Sequence, residues 1–157
     1  MGTIGGNIAN GSPIGDIAPL LISLGGKMQI SSKEKSKKIY VEDFFIEYGH
    51  QAISGNEYIH GFEISNPKNK KSVARFAFGG MAGIPKRSKS LENLFKENPQ
   101  NNFDENYIET AIKSDFQPLT DCRATSQYRQ RVAENLFKKF TYFVNNEFDR
   151  EEISRVL

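Results

Sequence analysis

The chain has 157 residues, 21 basic against 19 acidic side chains, and a net charge of +2. That near balance gives no electrostatic footprint for nucleic acid, and no apolar run approaches the roughly 20 residues of a membrane helix. One cysteine excludes an internal disulfide or a Cys-x-x-Cys metal site, and the reading is a soluble protein of a reducing, cytoplasmic setting.

The length suits one ordinary domain or two small lobes, and 12 phenylalanines with 6 tyrosines supply apolar area for a core. The first stretch, Thr-Ile-Gly-Gly-Asn-Ile-Ala-Asn-Gly-Ser-Pro-Ile-Gly-Asp over residues 3–16, is rich in glycine and asparagine. Glycine lets a ligand approach the backbone with no Cβ in the way. Consecutive unpaired N–H groups in such a turn form a nest for phosphate oxygens. Asp16 stands before an apolar run, where it either caps a short helix or accepts hydrogen bonds from sugar hydroxyls. No Gly-Lys-Ser/Thr follows, so this is not a P-loop, and the G-x-G-x-x-G fingerprint is absent. On composition, a phosphate site and a plain glycine-rich leader both stand.

Residues 16–24 predict a short helix with Ile17, Leu20, Leu21 and Leu24 on one side, ended by Gly25-Gly26. Residues 27–30 and 37–41 read as extended, joined by a hairpin tip. The lysines at 33–38 are a solvated tip, since no aromatic side chains interleave them. Phe44 and Phe45 are expected in the core. Residues 58–64 alternate like a strand, Asn66-Pro67 with its lysines reads as an exposed turn, and the short link makes residues 72–78 an antiparallel partner of that strand. Helices are expected at 90–97 and 104–113, with Ser90 and Asp104 as N-caps. A long helix begins near Thr125, and its row Tyr128, Val132, Leu136, Phe140 and Phe143 is read as core. Residues 149–157 form a polar tail. Asp121 and Arg123 are read as an ion pair, and Cys122 as a buried or incidental thiol. His50 and His60 fit no metal pattern, so no side-chain constellation supports catalysis by the protein alone.

The opening segment resembles the second flavin-contacting segment of the xanthine dehydrogenase and carbon monoxide dehydrogenase flavoprotein family. Two further stretches are similar to that family's small C-terminal domain. One is Ala-Arg-Phe-Ala-Phe-Gly-Gly-Met-Ala-Gly-Ile-Pro-Lys-Arg over residues 74–87, and the other is Asp115-Phe116-x-Pro118, continuing through Asp121, Arg123, Ala124, Tyr128 and Arg129. The resemblance implies an α+β fold: the second lobe of a molybdenum-hydroxylase-type FAD-binding domain at residues 1–66, then an α+β C-terminal domain at 67–157.

It also implies FAD as cofactor. Gly5, Gly6 and Asn7 would contact the pyrophosphate and ribityl region, and Thr3 and Asn10 would add hydrogen bonds. Asp16 would meet polar flavin groups and Ile59 would line the ring. Flavin would carry the electron chemistry, passing electrons from molybdenum and iron–sulfur centres to NAD or another acceptor. The implied partners are a molybdenum-cofactor subunit and a polypeptide carrying the iron–sulfur domains and the first FAD lobe. Those parts, and an internal segment after Ile64, are expected to be missing here, so the chain is read as incomplete alone. The competing reading is a folded, non-catalytic remnant that acts only in subunit interaction.

Overall fold

Cα packing divides the chain into two units, residues 1–87 and 88–157. The computed structural model describes residues 2–65, 74–98 and 103–145. The expected turn at 66–71, the first two residues of the expected strand at 72–78 and the expected tail lie outside the described residues. Both units together give helices and sheets, the α+β class.

In the first unit, α1 (Ile4–Ala9) and α2 (Ile17–Ser23) precede a three-stranded antiparallel sheet. Its strands are β1 (Lys27–Ser31), β2 (Ser36–Tyr40) and β5 (Tyr58–Glu63), in the order β2-β1-β5. β1 alternates as a one-sided strand should, with Met28 and Ile30 fully buried and Lys27 and Gln29 turned outward. The hairpin tip closes on Ser32, whose Oγ accepts the N–H groups of Glu34 and Lys35. A 3₁₀ turn (Val41–Asp43) leads to Phe44 and Phe45, which meet edge to face at 5.3 Å inside the core. The core also holds Ile8, Ala18, Leu21, Ile22 and Val41.

α2 ends as expected. Gly25 takes φ +63°, its N–H donates to Ile22 O, and the Gly26 N–H donates to Leu21 O at 2.8 Å, a Schellman closure. A Cβ on Gly25 would also collide with the Arg75 guanidinium, 1.7 Å away. The buried face of α2 differs from the expected one: Ala18, Leu21 and Ile22 face inward, and Leu20 and Leu24 are exposed. In a helix this short, the apolar residues run almost all round, and the sheet selects the face. Two small ladders complete the unit: β3 (Phe45–Glu47) with β4 (His50–Gln51), and β6 (Ala77–Phe78) with β7 (Lys86–Arg87). Ala77 and Phe78 therefore pair with the nearby Lys86–Arg87 strand; among the described residues they do not join β5.

The second unit packs α3 (Lys89–Glu97), α4 (Glu105–Asp115) and α5 (Ser126–Asn145). Asp104 caps α4, accepting the Asn106 N–H at 2.8 Å. The cap of α3 is Ser88, whose Oγ accepts the Leu91 N–H; Ser90, the expected cap, instead donates to the Asp115 carboxylate at 3.1 Å. Asp121 pairs with Arg129 at 2.8 Å, and from Arg123 it takes only the backbone N–H. Cys122 is exposed. Only part of the expected core row on α5 faces inward: Phe140 reaches Phe95 and Phe143 is half-buried, but Tyr128 is 63 % and Leu136 46 % exposed, and the buried residues are Ala133, Phe137 and Thr141. Both faces of α5 carry apolar side chains, and Phe137 rather than the longer row meets Phe103 at 5.3 Å.

Candidate functional site

The glycine-rich segment folds as a short helix rather than as the open nest that was one of its two readings. Thr3 takes extended dihedrals and its Oγ1 accepts the Gly6 N–H at 3.0 Å, while the Asn7 N–H donates to Thr3 O. Satisfying those donors inside the chain turns residues 4–9 into α1. Two glycines in six helical residues each disfavour the helix by about 1 kcal/mol relative to alanine, so helix propensity does not account for them. What they provide is a bare backbone surface: a Cβ on Gly6 would meet only Thr3 Oγ1 within 4 Å.

Gly5 lies against Ile59. A Cβ there would come to 3.8 Å from Ile59 Cβ and 3.9 Å from its carbonyl oxygen. Ile59 is aimed at α1 by a β-bulge. The register runs Met28↔Phe62 and Gln29↔Gly61, then shifts to Ile30↔Ile59, leaving His60 as the extra residue. Directly opposed residues share a face, so Ile59 shares the buried face of Ile30. Without the extra residue, alternation from Phe62 would place His60 inside and Ile59 outside. Just ahead of this strand Glu57 accepts the Ser54 N–H at 2.9 Å and pairs with Lys37 at 3.1 Å. The Ser54 N–H, then Lys37, holds its carboxyl below the usual range.

The remaining expected residues line the exit from α1. Asn7 is exposed, its Oδ1 3.6 Å from where a Cβ of Gly15 would stand, and Asn10 is the exposed C-cap, its N–H donating to Gly6 O. Asp16 occupies the N-cap position of α2 but makes no side-chain cap bond and is exposed. The capping role is therefore not adopted. Thr3, Gly5, Gly6 and Ile59 are thus gathered at the first turn of α1, Asn7 at the Gly15 turn, and Asn10 and Asp16 at the two ends of the connecting loop.

That loop is braced by residues that were not among the expected cofactor contacts. The Gly80 N–H donates to Pro13 O at 2.6 Å, and a Cβ on Gly79 would come to 3.2 Å from the same oxygen. Gln51 lies over Gly11, its Nε2 1.8 Å from a Cβ built there, and Gly11 has φ +62°. The adjacent glycines at 79–80 were the available signal. Chemically, the N–H groups of Ile4 and Gly5 donate to nothing among the described residues, and they open beside the bare glycine surface. Such donors suit an anionic oxygen, and the Ile59 side chain suits an apolar ring face. The residues present therefore fit a group joining phosphate to a flat ring. Among the described residues no cluster of three His, Cys, Asp or Glu could hold a metal ion, and no helix is long and apolar enough to cross a membrane.

Comparisons with known proteins bear on the family and the fold. Residues 1–67 match the family model of the FAD binding domain in molybdopterin dehydrogenase, and residues 60–144 match that of the CO dehydrogenase flavoprotein C-terminal domain. No curated protein matches the chain. Among solved structures, it is similar to the reconstituted CO dehydrogenase from Oligotropha carboxidovorans, with 21 % identity and a TM-score of 0.75 over 88 % of this chain and 59 % of that one. The cyanide-inactivated Cu,Mo-CO dehydrogenase gives 19 % and 0.73 over 88 % and 59 %. Quinoline 2-oxidoreductase from Pseudomonas putida 86 gives 18 % and 0.71 over 90 % and 59 %. At these identities the likeness is one of fold, and the chain spans about three-fifths of the length of the structures it matches.

Proposed function

The chain belongs to the CO dehydrogenase flavoprotein family, whose cofactor is FAD, and from that premise we propose that it is the FAD-holding part of a xanthine dehydrogenase-like molybdenum hydroxylase. In this reading residues 1–66 belong to the flavin-binding domain and 67–157 to the C-terminal domain. The enzyme is cytoplasmic. Electrons reach the flavin from molybdenum and iron–sulfur centres carried by partner polypeptides, and NAD or another acceptor takes them. The chain works only with those partners.

One observation carries the proposal: the bare backbone of Gly5 and Gly6, whose first N–H groups donate to nothing among the described residues, beside an Ile59 turned inward by a bulge. Ile4 and Gly5 offer their N–H groups to the pyrophosphate, and Gly6 leaves space for it. Thr3, Asn7 and Asn10 supply hydrogen bonds, Asp16 accepts from hydroxyl or ring N–H groups, and Ile59 excludes water from one side of the ring. When bound, FAD supplies the electron transfer that no side chain here can perform.

The test is a thermal melt with and without FAD, together with the visible absorption of the purified chain, alone and with a polypeptide supplying the remaining part of the fold. Binding to the native state alone stabilises by about 2.7 kcal/mol at a hundredfold excess over Kd. Gly6→Val is expected to abolish the shift while the protein still melts cooperatively. A cooperative melt indifferent to FAD, with and without the partner, would sink the proposal and leave a folded interaction module.

A further inference from the structure

Phe137 and Ala133 commit one face of α5 to the core of the second unit, which leaves a second apolar row on the same helix. Tyr128, Val132, Leu136 and Phe140 follow at four-residue steps. Phe140 leans inward to Phe95, with ring centres 5.6 Å apart, while Tyr128 and Leu136 stand open. Helix propensity does not ask for tyrosine, valine or phenylalanine here, and an apolar row left in water is unfavourable for a soluble protein.

The charges beside the row are one-sided. Positions 131, 135 and 139 lie three residues on from 128, 132 and 136, and so flank them on the helix surface. They are Arg131, Asn135 and Lys139. The other cations of α5 are neutralised within the unit, Arg129 by Asp121 and Lys138 by Glu105. Arg131 and Lys139 have no carboxylate partner among the described residues. Glu134 is bonded to Gln130 at 3.0 Å.

We propose that this face of α5 receives a helix of a partner polypeptide that presents an apolar i, i+4 row flanked by carboxylates. An i±4 ridge fits the groove between the corresponding ridges of a second helix. Carboxylates beside the partner row meet Arg131 and Lys139, which have no carboxylate partner among the described residues. A second copy of this chain fits less well. Antiparallel α5 helices bring Arg131 against Lys139, and parallel ones bring each cation against itself; like charges across an interface are repulsive. The proposal shares no residue with the flavin site and stands apart from it.

The experiment titrates the full chain into two fluorescently labelled 18-residue helical peptides, read by anisotropy. Both carry leucines at i, i+4; one is flanked by glutamates and the other by lysines. The acidic peptide is expected to bind and the basic one not. Leu136→Glu should weaken binding by about tenfold or more while leaving the melting temperature nearly unchanged, because Leu136 is an exposed position. Arg131→Glu with Lys139→Glu should reverse the preference between the peptides. Equal binding of both peptides, no binding of either, or binding indifferent to Leu136→Glu overturns the proposal. So does a dimer that Leu136→Glu splits, which makes a second copy the occupant. A Leu136→Cys thiol, in a Cys122→Ser background, that resists maleimide in the monomeric chain also overturns it, because the chain would then cover its own row.

Discussion

The two helices at either end of the chain are held in place by different means. α1 has six residues, two of them glycine, and one buried side chain, Ile8. A helix that short is unstable alone; its neighbours keep it formed through the Thr3 cap, the Gly5–Ile59 contact and the loop tied to Gly80. α5 has 20 residues, satisfies its own backbone along its length, and anchors its unit through Ala133, Phe137 and Thr141. The element proposed to meet the cofactor is thus supported from outside and bare on its surface, whereas the scaffold helix has apolar surface to spare. Ligand-facing segments are drawn from the low-stability end of a fold, and α1 fits that rule.

The sharpest way to break this contrast is on α5 itself. Phe137→Ala removes a fully buried ring and is expected to destabilise by about 3–5 kcal/mol; Leu136→Ala, one position along, should stay within about 0.5 kcal/mol. Chemical denaturation of both variants measures the difference. Similar losses would mean that the outward row contributes to the core after all.

A smaller effect is expected at α1. Thr3→Ala removes the cap and should cost about 1 kcal/mol. The loss should appear as faster amide exchange over residues 6–10, with exchange in α5 unchanged. Uniform acceleration through both units would mean that α1 is part of the global folding unit rather than a locally supported element.

Legibility divides along the same line. The sheet hairpin, the Gly25-Gly26 stop, the Asp104 cap and the buried Phe44-Phe45 pair were readable because each rests on a local rule: turn chemistry, capping or strand alternation. The buried faces of α2 and α5 were not. Periodicity identifies a helix, but where both sides are apolar only the neighbouring elements decide which side is covered. α1 was recognised by residue identity, and its helical form was hidden because glycine propensity argues against it while the Thr3 cap and packing override that. The bulge that turns Ile59 inward was invisible for a similar reason. Strict alternation along residues 58–64 assigns His60 and Ile59 to the wrong faces, and only the register with β1 reveals the extra residue. The brace from Gly79-Gly80 to Pro13 spans more than 60 residues of sequence, beyond any local rule.

The smallest expected effect separates the units by acid. Asp121 accepts the N–H groups of Arg123 at 2.9 Å and Ala124 at 3.0 Å and pairs with Arg129. Those two N–H groups, then the guanidinium, hold its carboxyl below the usual aspartate range. Glu57 is lowered in the same direction by the Ser54 N–H and Lys37. A depressed folded pKa contributes stability that is present above the unfolded value, about 4, and is lost as pH falls through the folded value. Melting temperature should therefore fall as pH drops below about 4, and the slope there should flatten in Asp121→Asn for the second unit and in Glu57→Gln for the first. The backbone N–H contribution is less sensitive to salt than the ion-pair share, since screening acts mainly on exposed charges. Raising ionic strength should therefore leave most of the Asp121 effect in place. An Asp121→Asn profile that keeps the original acid slope would mean that the carboxylate is not what fastens the turn leading into α5.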